Sequence, residues 1–145
     1  MDIAELFSGI PFAEHLGIEV TKAEDGVAVA RLPMEEHVSS NPSRRIAHGG
    51  ATFSLADTAG GAAVVSLTHA PAPTIDMRID YLEPATGDLE ARAEVVRKGD
   101  TSSVVEVTVV EDEENRQEVA RVRGVYKLGV DEGSEHDWKT ADNSP

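Results

Sequence analysis

Cysteine is absent from this 145-residue chain. That removes disulfides, thiolate nucleophiles and cysteine-based metal sites. Lysine is scarce as well. Only Lys22, Lys98, Lys127 and Lys139 contribute to the 13 basic residues, against 27 acidic ones, for a formal net charge of −14. Binding nucleic-acid phosphates needs a basic face, so nucleic acid is not expected as a partner. An acid excess with few lysines suits a cytoplasm rich in salt, where carboxylate repulsion is screened over about 3 Å at 1 M. A membrane-spanning run is also missing. The apolar stretch 51–67 is interrupted by Ser54, Asp57 and several glycines, and is too short for a bilayer. The start, Met1-Asp2-Ile3-Ala4-Glu5, lacks the basic region of a signal peptide. The five histidines (His15, His37, His48, His69, His136) show no metal-ligand spacing such as HExxH. The expectation is a cytoplasmic protein with no metal and no membrane partner.

What is present alternates with period two. The pattern predicts a short N-terminal helix to about residue 15 with a turn at Gly9-Ile10-Pro11. Strands follow at about 17–24 and 26–33, joined by the hairpin signal Asp25-Gly26. Residues 34–47 carry Ser39-Ser40, Asn41 and Pro42 without periodicity and read as a loop. A helix is predicted from about 49 to 68, ended by Pro71 and Pro73. Four longer strands then alternate over 74–83, 88–98, 102–111 and 117–128. Ile75, Met77, Ile79 and Tyr81 share one face of the first. The connections at Thr86-Gly87-Asp88, Lys98-Gly99-Asp100 and Glu113-Glu114-Asn115 are short, which predicts antiparallel neighbours at each. The length suits one domain over 1–128. Residues 129–145 are acidic and polar and read as a disordered tail, with Trp138 an oddity in it. The helix is rich in small residues (Ala51, Ala56, Ala59, Gly60, Gly61, Ala62, Ala63), which let a curved sheet wrap closely round it. One helix leaves sheet edges uncovered, so self-association is expected.

The helix also holds the candidate chemistry. At 100° per residue Gly50, Phe53, Asp57, Gly61 and Val64 fall on one stripe. A lone carboxylate there is expensive to bury. Gly49 and Gly50 offer backbone amides at the helix N-terminus, where negative charge is favoured. Together these are parts for carbonyl chemistry: a group to activate water and a group to hold an oxyanion. Each has a plainer reading. Asp57 can be a satisfied helix acid, Gly49-Gly50 a close-packing device, His48 a helix cap and Asn41 a turn residue. Gly49 and Asp57 are roughly 12 Å apart along the axis. A two-fold dimer with antiparallel helices would bring Asp57 of one subunit to Gly49 of the other, giving two composite sites.

His48-Gly49-Gly50, followed by Asp57 in Leu55-Ala56-Asp57-Thr58-Ala59, resembles the motif of hotdog-fold acyl-CoA thioesterases of the phenylacetate-pathway (PaaI-type) kind. Leu16-Gly17-Ile18, the run from Thr74 to Ala85 and Arg97-Lys98-Gly99-Asp100-Thr101-Ser102 are similar to other parts of that family, so the likeness spans about 10–128. It implies an α+β hotdog fold, a six-stranded antiparallel sheet wrapped round one long helix. It implies hydrolysis of an acyl-CoA to a free acid and coenzyme A, the acyl group being aryl or aliphatic, in a homotetramer built from dimers. By this resemblance Asp57 is nucleophile or general base, Gly49 polarises the carbonyl, Asn41 places water or thioester, His48 positions, and Thr74 assists the water. Arg97 and Lys98, with Gly50, Gly99, Thr101 and Arg45, would hold the substrate, Arg97 and Lys98 near the coenzyme A phosphates. Coenzyme A enters as part of the substrate and no metal or redox cofactor is needed. The family commonly has asparagine six residues before the histidine; here Pro42 stands there and Asn41 is seven before, with no glycine between. Two other classes remain open. A hydratase would want histidine paired with an acid, and a non-catalytic acyl-CoA-binding protein would bind without releasing thiol.

Overall fold

The computed structural model describes residues 2–112 and 116–130. The expected tail lies outside the described residues from position 131 on, Trp138 included, as does the 113–115 connection.

Two short helices, α1 (Ile3–Ser8) and α2 (Pro11–Leu16), open the chain in place of the single one predicted. Asp2 caps α1 by accepting the Ala4 and Glu5 amides; Pro11 starts α2, at a position where its missing N–H costs nothing. The strands β1 (Glu19–Glu24) and β2 (Val27–Leu32) form the predicted hairpin. Asp25 and Gly26 both take positive φ, 52° and 79°, as a tight hairpin turn matched to strand twist requires. The turn docks on the long helix α3 (Gly49–Thr68), where the Gly26 amide donates to Ser66 Oγ at 2.9 Å. A 3₁₀ turn at Glu36–Val38 leads into the loop before α3. Then come β3 (Thr74–Tyr81), β4 (Leu89–Lys98), β5 (Ser102–Glu111) and β6 (Glu118–Lys127).

The six strands make one antiparallel sheet in the order β1-β2-β4-β5-β6-β3. It wraps round α3, whose Leu55, Ala56, Ala59, Ala62 and Ala63 are fully buried. The inward alanines of β2 and β4 (Ala28, Ala30, Ala91, Ala93) and the inward valines of β5 (Val105, Val107, Val109) meet them. Small side chains on both surfaces permit this close approach. No helix among the described residues is long and apolar enough to cross a membrane.

One expected neighbour pair is wrong. The connection containing Thr86-Gly87-Asp88 does not join adjacent strands: β4 pairs with β2, and β3 pairs with β6 at the far edge. The chain crosses the sheet over residues 82–88, a path held by side chains. Buried Glu111 accepts from the Thr86 amide at 2.7 Å, and Asp88 Oδ1 accepts from the Met34 amide at 2.7 Å.

The two sheet edges differ. On β1, Ser8 of α1 both accepts from the Val20 amide at 2.8 Å and donates to the Val20 carbonyl at 3.3 Å. On β3 the edge carries exposed Ile75 (58 %) and Tyr81 (53 %). An uncovered strand edge is a ready template for another strand.

Candidate active site

The entry to α3 is pinned before the helix starts. The Ala47 amide donates to the Ala85 carbonyl and the His48 amide to the Val38 carbonyl, both at 2.8 Å. His48 is then the N-cap: its Nδ1 accepts the Gly50 amide at 2.8 Å. An accepting ring nitrogen carries no proton, so the neutral ring keeps its proton on Nε2. The Gly50 amide is thereby engaged, and the two bare amides expected here reduce to one. Among the described residues the Gly49 N–H has no hydrogen-bond partner, as befits a first-turn amide with no carbonyl before it in the helix. The Gly49 carbonyl accepts from the Tyr81 hydroxyl at 2.7 Å. A Cβ on Gly49 would lie 3.1 Å from that hydroxyl oxygen, so glycine lets Tyr81 close over the helix start. Gly49, Thr52, Tyr81, Ile46 and the 82–85 stretch line a cleft of about 370 Å³. Partial desolvation against the helix start shifts the hydroxyl of this otherwise exposed side chain upward, keeping it a donor.

Two turns along α3, Asp57 is half-buried and receives two hydroxyls on one oxygen. Thr74 Oγ1 lies 2.7 Å and the Tyr126 hydroxyl 2.9 Å from Asp57 Oδ1. Tyr126 also lies 3.0 Å from the Asp57 backbone carbonyl. Thr74 reaches this face through a register shift between Thr74 and Asp76 of β3. Plain alternation puts Thr74 on the outer face with Asp76, Arg78 and Asp80. The extra residue, Ile75, restores Thr74 to the side of Met77 and Ile79, beside inward Tyr126. Tyr126 is 1 % exposed. Desolvation first, then the Asp57 charge, pushes its hydroxyl far above the usual range, so it remains protonated.

The other expected residues fall in two places. Lys98 pairs with Ser103, Ser103 with Tyr126 and Tyr126 with Thr74. The hairpin bearing Arg97, Lys98, Gly99 and Thr101 therefore sits at the Asp57 end of the sheet. At about 4.8 Å per strand, Lys98 lies about 14 Å across from Thr74. Gly99 donates its amide to the Ser102 carbonyl and Thr101 accepts from the Leu128 amide. Asn41 and Arg45 are exposed in the loop before α3 and line a separate depression with Arg44 and Pro42. Asn41 Oδ1 accepts the Ser43 amide at 2.8 Å, the side-chain turn of the plainer reading. The structure thus groups Asp57 with Thr74 and Tyr126, and Gly49 with His48, Gly50 and Tyr81. It joins neither group to Asn41 or Arg45 by a hydrogen bond. Tyr126 was missed from sequence because its alternation marks it only as inward. The available signal was glycine: Gly60, Gly61 and Gly124 all border its ring.

The profile of the thioesterase superfamily matches residues 45–118. This chain belongs to the thioesterase superfamily. A candidate esterase of Halobacterium salinarum is 40 % identical over 126 residues, covering 81 % of this chain and 83 % of that protein. The medium/long-chain acyl-CoA thioesterase YigI of Salmonella typhimurium is 27 % identical over 136 residues, 83 % of this chain and 86 % of that one. Among solved structures, the E. coli PaaI protein of the phenylacetic acid degradation operon superposes with a TM-score of 0.76 at 29 % identity, covering 86 % of this chain and 89 % of that one. The α+β hotdog architecture and the thioester-hydrolase class expected from the motif are those of this superfamily.

Proposed function

We propose that the protein hydrolyses an acyl-CoA thioester to the free acid and coenzyme A at two sites shared between the subunits of a dimer. One observation carries the reading: β3 runs from Asp57 to Gly49. Its first residue, Thr74, holds the Asp57 carboxylate, and its last, Tyr81, holds the Gly49 carbonyl. The uncovered β3 edge is where a second copy can pair. Antiparallel pairing of two β3 edges about a two-fold axis sets Thr74 of one chain alongside Tyr81 of the other, and so Asp57 alongside the partner's free Gly49 N–H.

In that site the thioester carbonyl oxygen takes the Gly49 amide as donor, aided by the positive helix start. Asp57 Oδ1 is occupied by two hydroxyls, which leaves Oδ2 to react. As general base it takes a proton from water while the water oxygen bonds to the carbonyl carbon. The C–S bond then breaks and the thiolate recovers the proton. As nucleophile the same oxygen bonds to the carbonyl carbon, and the C–S bond breaks to expel the coenzyme A thiolate. Water then opens the resulting anhydride, restoring Asp57, releasing the acid and supplying the thiolate's proton. Neither route calls on a metal or redox cofactor; coenzyme A is part of the substrate. For its phosphates we take Arg97 as a forked donor and Lys98 as a point charge, beside the Gly99–Thr101 turn. Local contacts of this kind must oppose the repulsion between a polyanionic ligand and a chain of net charge −14. The same charge, and the Halobacterium relative, support a working medium of concentrated salt in a cytoplasm. The medium/long-chain acyl-CoA activity named for YigI makes medium- and long-chain acyl-CoAs the first substrates to try, with phenylacetyl-CoA beside them. A tetramer of two such dimers is the assembly we expect.

The experiment is thiol release from an acyl-CoA panel in low and multimolar KCl, with wild type and Asp57→Asn. The cysteine-free chain adds no thiol background. Release that falls by two orders of magnitude or more in Asp57→Asn, roughly the scale of a lost acid–base group, supports the reading. Equal release from the variant refutes it.

A further inference from the structure

Tyr126 occupies a slot that only glycines could leave. A Cβ on Gly60 would sit 2.4 Å from its hydroxyl oxygen, one on Gly124 3.0 Å from its ring edge, and one on Gly61 3.7 Å from the opposite edge. Gly60 and Gly61 lie inside a 20-residue helix, where each glycine is unfavourable relative to alanine. Ring carbons would crowd the Gly60 Cβ at 3.1 and 3.3 Å; the hydroxyl oxygen excludes it outright. The hydroxyl has one proton and two acceptors on the same residue, Asp57 Oδ1 at 2.9 Å and the Asp57 backbone carbonyl at 3.0 Å.

We propose that Tyr126 is a positioning residue for the hydrolysis, its hydroxyl fixing which Asp57 oxygen faces the reacting water and following the charge on that carboxylate through the reaction. The inference rests on the Asp57 reading above. With Asp57 ionised, the Tyr126 proton points to Oδ1, where Thr74 also donates, and Oδ2 is turned to the reacting centre. Once Oδ2 has taken a proton or formed the anhydride, Oδ1 is a weaker acceptor. The Tyr126 proton then turns to the backbone carbonyl without leaving its oxygen. A short rotation about the C–O bond replaces a lost hydrogen bond, so the ordered carboxylate survives the change of charge.

The surroundings leave this role to hydroxyls. Thr74 faces Asp57 from β3 and Tyr126 from β6. Of the charged residues on those strands, Asp76, Arg78, Asp80, Arg121, Arg123 and Lys127 are exposed, and half-exposed Glu118 pairs with Arg121. On α3 itself Phe53 and Gly61 flank Asp57 on its stripe. Among the described residues no cation lies within ion-pair distance of Asp57.

The test is the pH dependence of kcat and KM for Tyr126→Phe, which keeps the ring, beside Gly60→Ala, which keeps the hydroxyl but displaces it. Both chains are checked for folding by circular dichroism. Loss of a hydrogen bond to a charged group predicts kcat lower by about tenfold to hundredfold. KM should stay within about twofold, as for an interaction tightened only in the transition state. The acid limb of the profile should move to higher pH, because the carboxylate has lost a donor. Wild-type kcat with an unmoved acid limb in either folded variant overturns the proposal, and so does a loss confined to KM. The Asp57→Asn control separates the two claims. If it retains full turnover the Asp57 reading fails; if it is inactive while Tyr126→Phe behaves as wild type, only the Tyr126 role fails.

Discussion

Gly60 and Gly61 are adjacent in α3, yet replacing each by alanine should have unequal consequences. In a helix interior the exchange gains about 0.5–1 kcal/mol at either position from backbone entropy. The surroundings then decide. At Gly61 the new Cβ meets Phe7 Cε1 at 3.1 Å, and Phe7 is a half-buried ring on the short helix α1 that can give by a few tenths of an ångström. At Gly60 it meets the Tyr126 oxygen at 2.4 Å, the rigid end of a fully buried ring. That oxygen has to retreat by roughly 1 Å to reach ordinary contact, which breaks both of its bonds to Asp57. Overpacking costs about 1–3 kcal/mol, and the lost charge-assisted hydrogen bond about 1.5–3 kcal/mol more. Less the helix gain, Gly60→Ala should destabilise by about 2–5 kcal/mol, while Gly61→Ala stays within about 1 kcal/mol of wild type. Urea unfolding followed by circular dichroism reads the difference, at a salt concentration held constant. Equal stability of the two variants, or a stabilised Gly60→Ala, would refute the claim that this glycine exists to seat the Tyr126 hydroxyl.

Ser66→Ala removes the acceptor of the Gly26 amide in a buried position and should cost about 1–2 kcal/mol, read by the same unfolding; a neutral result would mean that the hairpin turn does not depend on its dock. Asp57→Asn keeps an acceptor oxygen for Thr74 and Tyr126, so its stability should remain within about 1 kcal/mol of wild type while turnover is lost. Its melting midpoint, measured beside the thiol assay, distinguishes inactivity from unfolding.

Much of the fold was legible because its signals were local. The bounds of α3 follow from the glycines at its start and the prolines beyond its end. Asp25-Gly26 announced a turn with two positive φ angles, and four alternating runs became four strands. Strand adjacency was harder, since it depends on partners far along the chain. The short connection before Leu89 suggested β3 beside β4, whereas the sheet sends β3 to the edge next to β6. The candidate site divides in the same way. Asp57 and Gly49 could be picked out because an acid and bare glycines are unusual on their helix. The true orientation of Thr74 depends on a bulge at Ile75 that alternation conceals. The Gly50 amide is bare by sequence, but the His48 ring takes it. Gly60, read only as a small residue, is specific to a hydroxyl arriving from a strand 66 positions later. Asn41 shows the reverse: the irregular spacing of its loop goes with a side chain bonded to its own turn.

The central claim, a site built from Asp57 of one chain and Gly49 of the next, is tested most directly by mixing two inactive chains. Asp57→Asn lacks the carboxylate. Gly49→Pro lacks the free N–H, at a first-turn position where proline suits a helix, and its Cβ also presses Tyr81 away from the helix start. Each variant alone should release little thiol from acyl-CoA. After joint unfolding and refolding of equal amounts, half of the dimers are mixed, and each mixed dimer has one site with both groups intact. The account predicts recovery to about a quarter of wild-type activity. No recovery, with mixed dimers shown to form, would place both groups in a site within one chain and contradict it.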